Sequence, residues 1–290
     1  MSPLFQAAQG GFLDLFPEGA ELTRLAGDFT WTEGPCWIPA RGCVVFSDVR
    51  QDRTWRWTPG SGLAEEMNPS RHQNGHCLDA QGRLVACSHG DRAVLRQEED
   101  GRWTTLASEW QGQRLNSPND VALSPDGSLW FSDPTYGIDK PEEGYGGEME
   151  LPGRYVFRIA PDGTLSCPIT DRHKPNGLAF RSANELLLSD TGDQAATHLY
   201  RIDGDRAEHQ GGFFQVDQGK TDGLRVDADG RIWSSAGDGV HVFSPQGEEL
   251  GRILLPETAA NLCFGGADGT ELFITASTGL YHLPTRVRGW

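Results

Sequence analysis

One pattern recurs six times along the chain and limits what it can fold into: a short apolar strand, a turn bearing Gly or Asn, and a second apolar strand ending in small or acidic residues. The clearest copies are Val121-Ala122-Leu123, Asp126-Gly127, Leu129-Trp130-Phe131-Ser132-Asp133, and Leu224-Arg225-Val226, Asp229-Gly230, Ile232-Trp233-Ser234-Ser235. Stretches 35–48, 77–88, 178–190 and 262–275 align with them. Each copy leads into a third alternation, such as Thr54-Trp55-Arg56-Trp57 or Leu199-Tyr200-Arg201-Ile202, and the first five into a weaker fourth. Alternation at period 2 between Gly and Asp-Gly turns belongs to antiparallel hairpins. The sixth copy lacks room for a fourth strand, whereas Leu22-Thr23-Arg24-Leu25 stands before the first copy with no hairpin of its own. The expectation is one all-β domain over 1–290, a six-bladed β-propeller whose N-terminal strand closes the last blade and leaves only short, protected edges. No helical period is evident. The nine Trp residues, among them Trp37, Trp130 and Trp233, fall at strand spacing and are expected between blades.

A formal charge of −16 repels phosphate backbones and anionic lipid, so neither nucleic acid nor membrane is an expected partner. Residues 1–31 hold no basic segment followed by an apolar run, and no stretch reaches transmembrane length, which points to the cytoplasm. The six cysteines show no C-x-x-C spacing, which argues against a zinc site and fits buried reduced thiols.

The residues that open each inner strand carry the functional signal. Glu33-Gly34, Asn74-Gly75, Asn119-Asp120, Asn176-Gly177, Asp222-Gly223 and Ala260-Asn261 align, and five of the six leading residues are carboxylates or carboxamides. In a propeller the innermost strands line the central channel, so these positions converge on the axis at one depth. Asn-Gly and Asp-Gly are also ordinary turn dipeptides, but Glu33 is a poor turn residue and the register holds in five blades. Two carboxylates with two or three amides offer hard oxygen donors, which suit Ca²⁺ first, then Mg²⁺ or Mn²⁺, and Zn²⁺ least. Without a cation, Glu33 and Asp222 would confront each other as like charges.

In Glu33-Gly34-Pro35, Ser117-Pro118-Asn119-Asp120, Pro175-Asn176-Gly177 and Thr221-Asp222-Gly223, the chain resembles the senescence-marker-protein/regucalcin/gluconolactonase family of six-bladed propellers over nearly its whole length. The resemblance implies a lactone hydrolase, gluconolactonase-type, taking D-glucono-1,5-lactone to gluconate. It implies Glu33, Asn119, Asn176 and Asp222 as ligands of one divalent cation, with Asp222 and Asn119 as catalytic residues and Asp222 as base or nucleophile. The partner is then a small sugar lactone, and the protein a monomer or homodimer. Animal members carry Arg where this chain has Ser117, so substrate hydroxyls fall to Asn74, Asn119 and the insertion 134–152, with Tyr136, Glu143, Tyr145 and Glu148. Its glycines, Gly137, Gly144, Gly146 and Gly147, suggest a lid, although an interaction loop fits as well. His76 and His89 are expected as hydrogen-bonded packing residues near the site. No G-x-S-x-G elbow supports serine chemistry. Related esterase or phosphotriesterase activity, or a non-catalytic propeller with a structural ion, remain alternatives; strictosidine-synthase-like condensation is the weakest.

Overall fold

The computed structural model describes residues 4–193 and 195–290 and contains the six expected sheets in a propeller. Blade 1 is Thr32–Ile38, Cys43–Asp48, Arg53–Thr58 and Gly62–Met67; blade 2 is Gln73–Leu78, Leu84–Ser88, Ala93–Gln97 and Trp103–Ala107. Blade 3 is Val121–Leu123, Leu129–Asp133, Tyr155–Ile159 and Leu165–Ile169; blade 4 is Pro175–Ser182, Glu185–Asp190, Ala196–Asp203 and Arg206–Phe214. Blade 5 is Leu224–Val226, Ile232–Ala236, Gly239–Phe243 and Glu249–Leu254, and blade 6 is Ala259–Gly265, Glu271–Ala276 and Gly279–Pro284. Thr23–Ala26 pairs antiparallel with Gly279–Pro284 and closes blade 6 as expected. A strand not anticipated, Phe5–Ala7, adds a fifth, outermost member to blade 5. Between these strands Phe12 and Phe16 pack on Trp233, so the N-terminal segment laces two blades together.

Strands this apolar on both faces need a partner on each side, and the ring supplies it. In blade 1, Val44 and Phe46 pack toward blade 6 with Cys263, Phe273 and Leu280, while Cys43 and Val45 pack toward blade 2 with Leu84. Successive side chains thus feed alternate interfaces, as period 2 requires. Three tryptophans lie between blades as expected, Trp37 stacked on Phe273 of blade 6, and Trp130 and Trp233 edge-on to Phe180 and Phe264 of the next blades, whereas Trp290 is exposed and Trp31 lines the axial cavity. All six cysteines are free, four of them buried and Cys77 and Cys167 less so. Among the described residues no helix is long and apolar enough to cross a membrane.

The X-Gly dipeptides are not turns. Glu33-Gly34, Asn74-Gly75 and Asn176-Gly177 lie inside strands, each at an irregularity in pairing with the second strand. A β-bulge bends the strand and redirects a side chain, and here the neighbouring blade comes close against the glycine. A Cβ on Gly177 would sit 2.1 Å from the Asp222 carbonyl oxygen, and one on Gly34 2.0 Å from that of Asn74. Backbone bonds cross the same contacts, with Gly75 N donating to Asn119 O at 2.8 Å and Gly177 N to Asp222 O at 3.0 Å. Gly177→Ala should therefore lower unfolding free energy by about 1–3 kcal/mol or more. Gly212→Ala, where an added Cβ meets nothing within 4 Å, should stay within about 0.5 kcal/mol; denaturant unfolding of the two variants compares them.

Candidate active site at the propeller axis

The acids that end the second strands organise the loops leading to the axis. Asp48 accepts hydrogen bonds from Thr30 N and Trp31 N, Asp133 from Asn116 N, and Asp190 from His173 N and Lys174 N, all at 2.8–3.1 Å. The serines beside them hold the ring residues themselves: Ser47 Oγ donates to Asn74 O, Ser189 Oγ donates to Asp222 O, and Ser235 Oγ accepts from Asp222 N. Small and acidic strand ends are therefore the fixtures of the axial ring.

Glu33, Asn74, Asn119 and Asn176 are buried, and Asp222 is partly exposed. Glu33 Oε2 accepts from Gly34 N at 2.9 Å and from Asn261 Nδ2 at 3.4 Å. Asn176 Nδ2 donates to the Tyr136 hydroxyl at 3.3 Å, and the Asn176 amide near Asp222 offsets part of the rise in that carboxyl's pKa. Burial, with Asp222 nearby, pushes the Glu33 carboxyl well above the usual carboxylate range. Burial and then the Asp120 charge raise Asp222 to about 7. Neither acid has a basic partner within ion-pair distance among the described residues. Glu33, Asn176 and Asp222 thus stand near one another at the axis.

Asn74 and Asn119 are drawn together by a residue whose role the sequence hid. His89 Nδ1 lies 2.9 Å from the Glu143 carbonyl oxygen, which can only accept, so Nδ1 carries the proton and Nε2 is the acceptor. Asn74 Nδ2 and Asn119 Nδ2 both donate to that Nε2, at 3.2 and 3.3 Å. Burial holds the His89 pKa down at about 4, keeping this neutral tautomer. With both amide nitrogens committed, the two amide oxygens remain as acceptors for whatever occupies the axis. His76, by contrast, bonds Gly34 O at 2.8 Å and Gln73 Oε1 at 3.3 Å and is a packing residue.

A second polar layer also escaped the sequence reading. Asp120 and Asn261 stand where four other blades have glycine; burial raises the Asp120 carboxyl, and Asn261 beside it offsets part of that rise. A Cβ on Gly75 would meet Asp120 Oδ1 at 2.5 Å, and one on Gly223 would meet the Asn261 amide at 2.1 Å. Asp120 Oδ2 has no hydrogen-bond partner, and its nearest cation is Arg225 Nη1 at 3.9 Å.

The insertion crosses blades 1 to 4, but its residues divide. Tyr136 bonds Asn176 and Thr191 Oγ1 and helps line a cavity of about 310 Å³ with Trp31, Lys174, Thr191, Lys220 and Asp222. Glu143 instead pairs with Arg50 at 2.8 Å and Lys140 at 3.1 Å, and the Tyr145 hydroxyl donates to Asp52 at 2.7 Å. Glu148 is exposed. Glu143 and Tyr145 are thus staples rather than substrate contacts. Two short helices, Tyr136–Asp139 and Pro141–Gly144, cross where a Cβ on Gly144 would lie 2.5 Å from Gly137 Cα, so these glycines serve close packing, not hinging. Ser117, at the position of the animal Arg, anchors this strap: its Oγ donates to Pro134 O at 2.7 Å and accepts from Gly137 N at 3.0 Å.

The oxygen-rich donor set of Glu33, Asn119, Asn176 and Asp222 fits a hard divalent cation, which would also balance two neighbouring acids that have no ion-pair partner among the described residues. No cluster of three or more His, Cys, Asp or Glu suited to a metal occurs among the described residues, so an ion here would depend on the amides.

Comparison with known proteins places the same elements in a known group. Residues 31–278 match the family model described as SMP-30/Gluconolactonase/LRE-like region. The Gluconolactonase of Zymomonas mobilis is 30% identical over 91% of this chain and 81% of its own. A solved structure assigned as a gluconolactonase is 64% identical, with TM-score 0.96 over 98% of this chain and 99% of its own. A gluconolactonase from Xanthomonas campestris is 35% identical, with TM-score 0.93 over 98% and 95%.

Raised carboxyl pKa values imply that the folded, chelated protein binds more protons than the unfolded chain. Stability from Glu33, Asp222 and the buried Asp133, itself pushed up to about 7 by burial, is present at low pH and lost as pH rises through the folded values. Unfolding free energy in chelator should accordingly fall between about pH 5 and pH 8, and Glu33→Gln/Asp222→Asn should flatten the slope. Urea titrations at several pH values measure it, and an equal slope in the variant would place the protons elsewhere.

Proposed function

The chain belongs to the SMP-30/gluconolactonase/LRE-like family and is thereby a lactone hydrolase, and we propose that it opens sugar lactones with a divalent cation held by Glu33, Asn119, Asn176 and Asp222. D-Glucono-1,5-lactone is the first substrate to test and Ca²⁺ the first ion. The observation that carries this reading is the meeting of buried Glu33, partly exposed Asp222 and oriented amides, with no ion-pair partner for either acid among the described residues, where Asp222 and Tyr136 line one cavity.

A bound cation would polarise the lactone carbonyl. The chain's own residues do the rest. Asp222, the ring carboxylate that reaches the cavity, accepts a proton from the attacking water and returns it to the ring oxygen as the C–O bond breaks. Tyr136, raised far above its usual pKa by burial and by Asp222, keeps its proton and orients Asn176 and a substrate hydroxyl. Asn74 and Asn119, fixed through His89, present amide oxygens. The free thiols support a cytoplasmic location.

Lactonase activity followed by pH-stat should vanish on chelation and return with Ca²⁺ or Mn²⁺, and Glu33→Gln/Asp222→Asn should lower kcat/KM by at least about 100-fold; full activity in that variant would overturn the proposal. His89→Ala should cost about 10–100-fold in kcat/KM and raise the cation concentration giving half-maximal rate. His76→Ala removes an equally buried imidazole that does not touch the ring amides. It should lower Tm yet leave the cation requirement where it was; a shift alike in both variants would reduce His89 to a packing role.

A further inference from the structure

The chain has three lysines against 41 acidic residues, and all three stand at one end of the channel. Lys174 and Lys220 line the cavity that Asp222 also lines. Lys174 Nζ lies 4.2 Å above the Tyr136 ring and Lys140 Nζ 5.6 Å from the same ring. They come from three separate stretches of chain: the strap, the loop before blade 4 and the loop before blade 5. Each is placed by the fold. Lys174 N donates to Asp190 Oδ1 at 2.9 Å, and Lys220 Nζ donates to Thr191 O and Gly192 O at 2.7 and 3.1 Å.

Their charges are unequally spent. Lys140 pairs with Glu143 at 3.1 Å. The closest acid to Lys174 is Asp139, at a long 3.9 Å, and Lys220 meets only carbonyl oxygens among the described residues, leaving an ammonium proton unassigned. Two ammonium groups with charge to spare therefore rim a cavity in a protein of net charge −16. A divalent ion at the axis would balance Glu33 and Asp222 and leave the rim positive. A neutral polyol gains little from such a rim, whereas an anion gains both attraction and hydrogen bonds.

Building on the lactonase reading, we propose that the preferred substrate is a sugar lactone carrying an anionic group, a phosphate monoester or a carboxylate, which Lys174 and Lys220 grip while the lactone carbonyl faces Asp222. Water adds to the carbonyl carbon, the ring C–O bond breaks, and the ring oxygen leaves as a hydroxyl; the anionic group takes no part in bond making.

The test measures kcat/KM of the cation-loaded enzyme on 6-phospho-D-glucono-1,5-lactone, D-glucaro-1,4-lactone and D-glucono-1,5-lactone, at low and high salt. One of the two anionic lactones should exceed the neutral one by at least about tenfold, chiefly through KM, with the advantage shrinking in salt; which one distinguishes phosphate from carboxylate. In Lys174→Gln/Lys220→Gln the charged-to-neutral ratio should fall at least about tenfold, and Lys174→Arg/Lys220→Arg should keep most of it. A wild-type ratio near one, or a ratio the Gln variant leaves unchanged, overturns the charge preference while the neutral lactone's hydrolysis upholds the lactonase. Failure on all three lactones overturns both.

Discussion

Glu33, buried at the axis, and Asp222, partly exposed beside it, stand close together with no ion-pair partner among the described residues, and the remaining architecture can be understood as holding them there. Glu33 and Asp222 each lose hydration on entering the ring, and Glu33 also meets the charge of Asp222. A chain free to relax would separate them. It cannot, because the strand that Glu33 heads packs Trp37 toward blade 6 and Cys36 and Ile38 toward blade 2, and the strand that follows Asp222 buries Leu224 and Val226 against blade 4. Moving either acid would open an apolar interface, and opening one interface breaks the closure on which the others depend.

Local chemistry refines that constraint. Acids and serines at the ends of the second strands fix the loops and backbone of the ring, while glycines at the bulges let neighbouring strands approach closely enough for Gly75 N and Gly177 N to bond the next blade. Where two blades replace glycine with Asp120 and Asn261, the side chains occupy the space that glycines on adjacent blades leave open. The axis is thus layered: donors for an ion above, a buried Asp–Asn pair with nearby Arg225 below.

The parts of this arrangement legible in the sequence are those that repeat. Six copies of one alternation expose the blades, and alignment of their first residues exposes Glu33, Asn74, Asn119, Asn176 and Asp222, since a position equivalent in every blade is also equivalent around the axis. Features occurring once were not legible. The strand Phe5–Ala7 is too short to stand out. Asp120 and Asn261 looked like companions of a motif because their importance lies in replacing glycine, visible only when adjacent backbones are seen in contact. Gly137 and Gly144 suggested mobility until the short helices proved to cross on them. The lysine rim gathers residues from three stretches that share no alignment.

The strap of residues 134–152 joins these levels. Its Glu143 carbonyl fixes the His89 tautomer, and His89 turns Asn74 and Asn119. Its Tyr136 reaches Asn176, and its Lys140 stands beside the same ring as Lys174. The segment that covers the cavity therefore also orients the amides beneath it. The route runs through a neutral imidazole that can accept from both amides only while the strap takes its Nδ1 proton. Displacing the strap would remove Tyr136 and free the His89 proton to change nitrogen, putting a donor where two amide N–H groups now point. Cover and ring are competent together, which gives a physical reason for building the insertion on close-packed glycines with an ion pair and a hydrogen bond to blade 1 rather than on hinges.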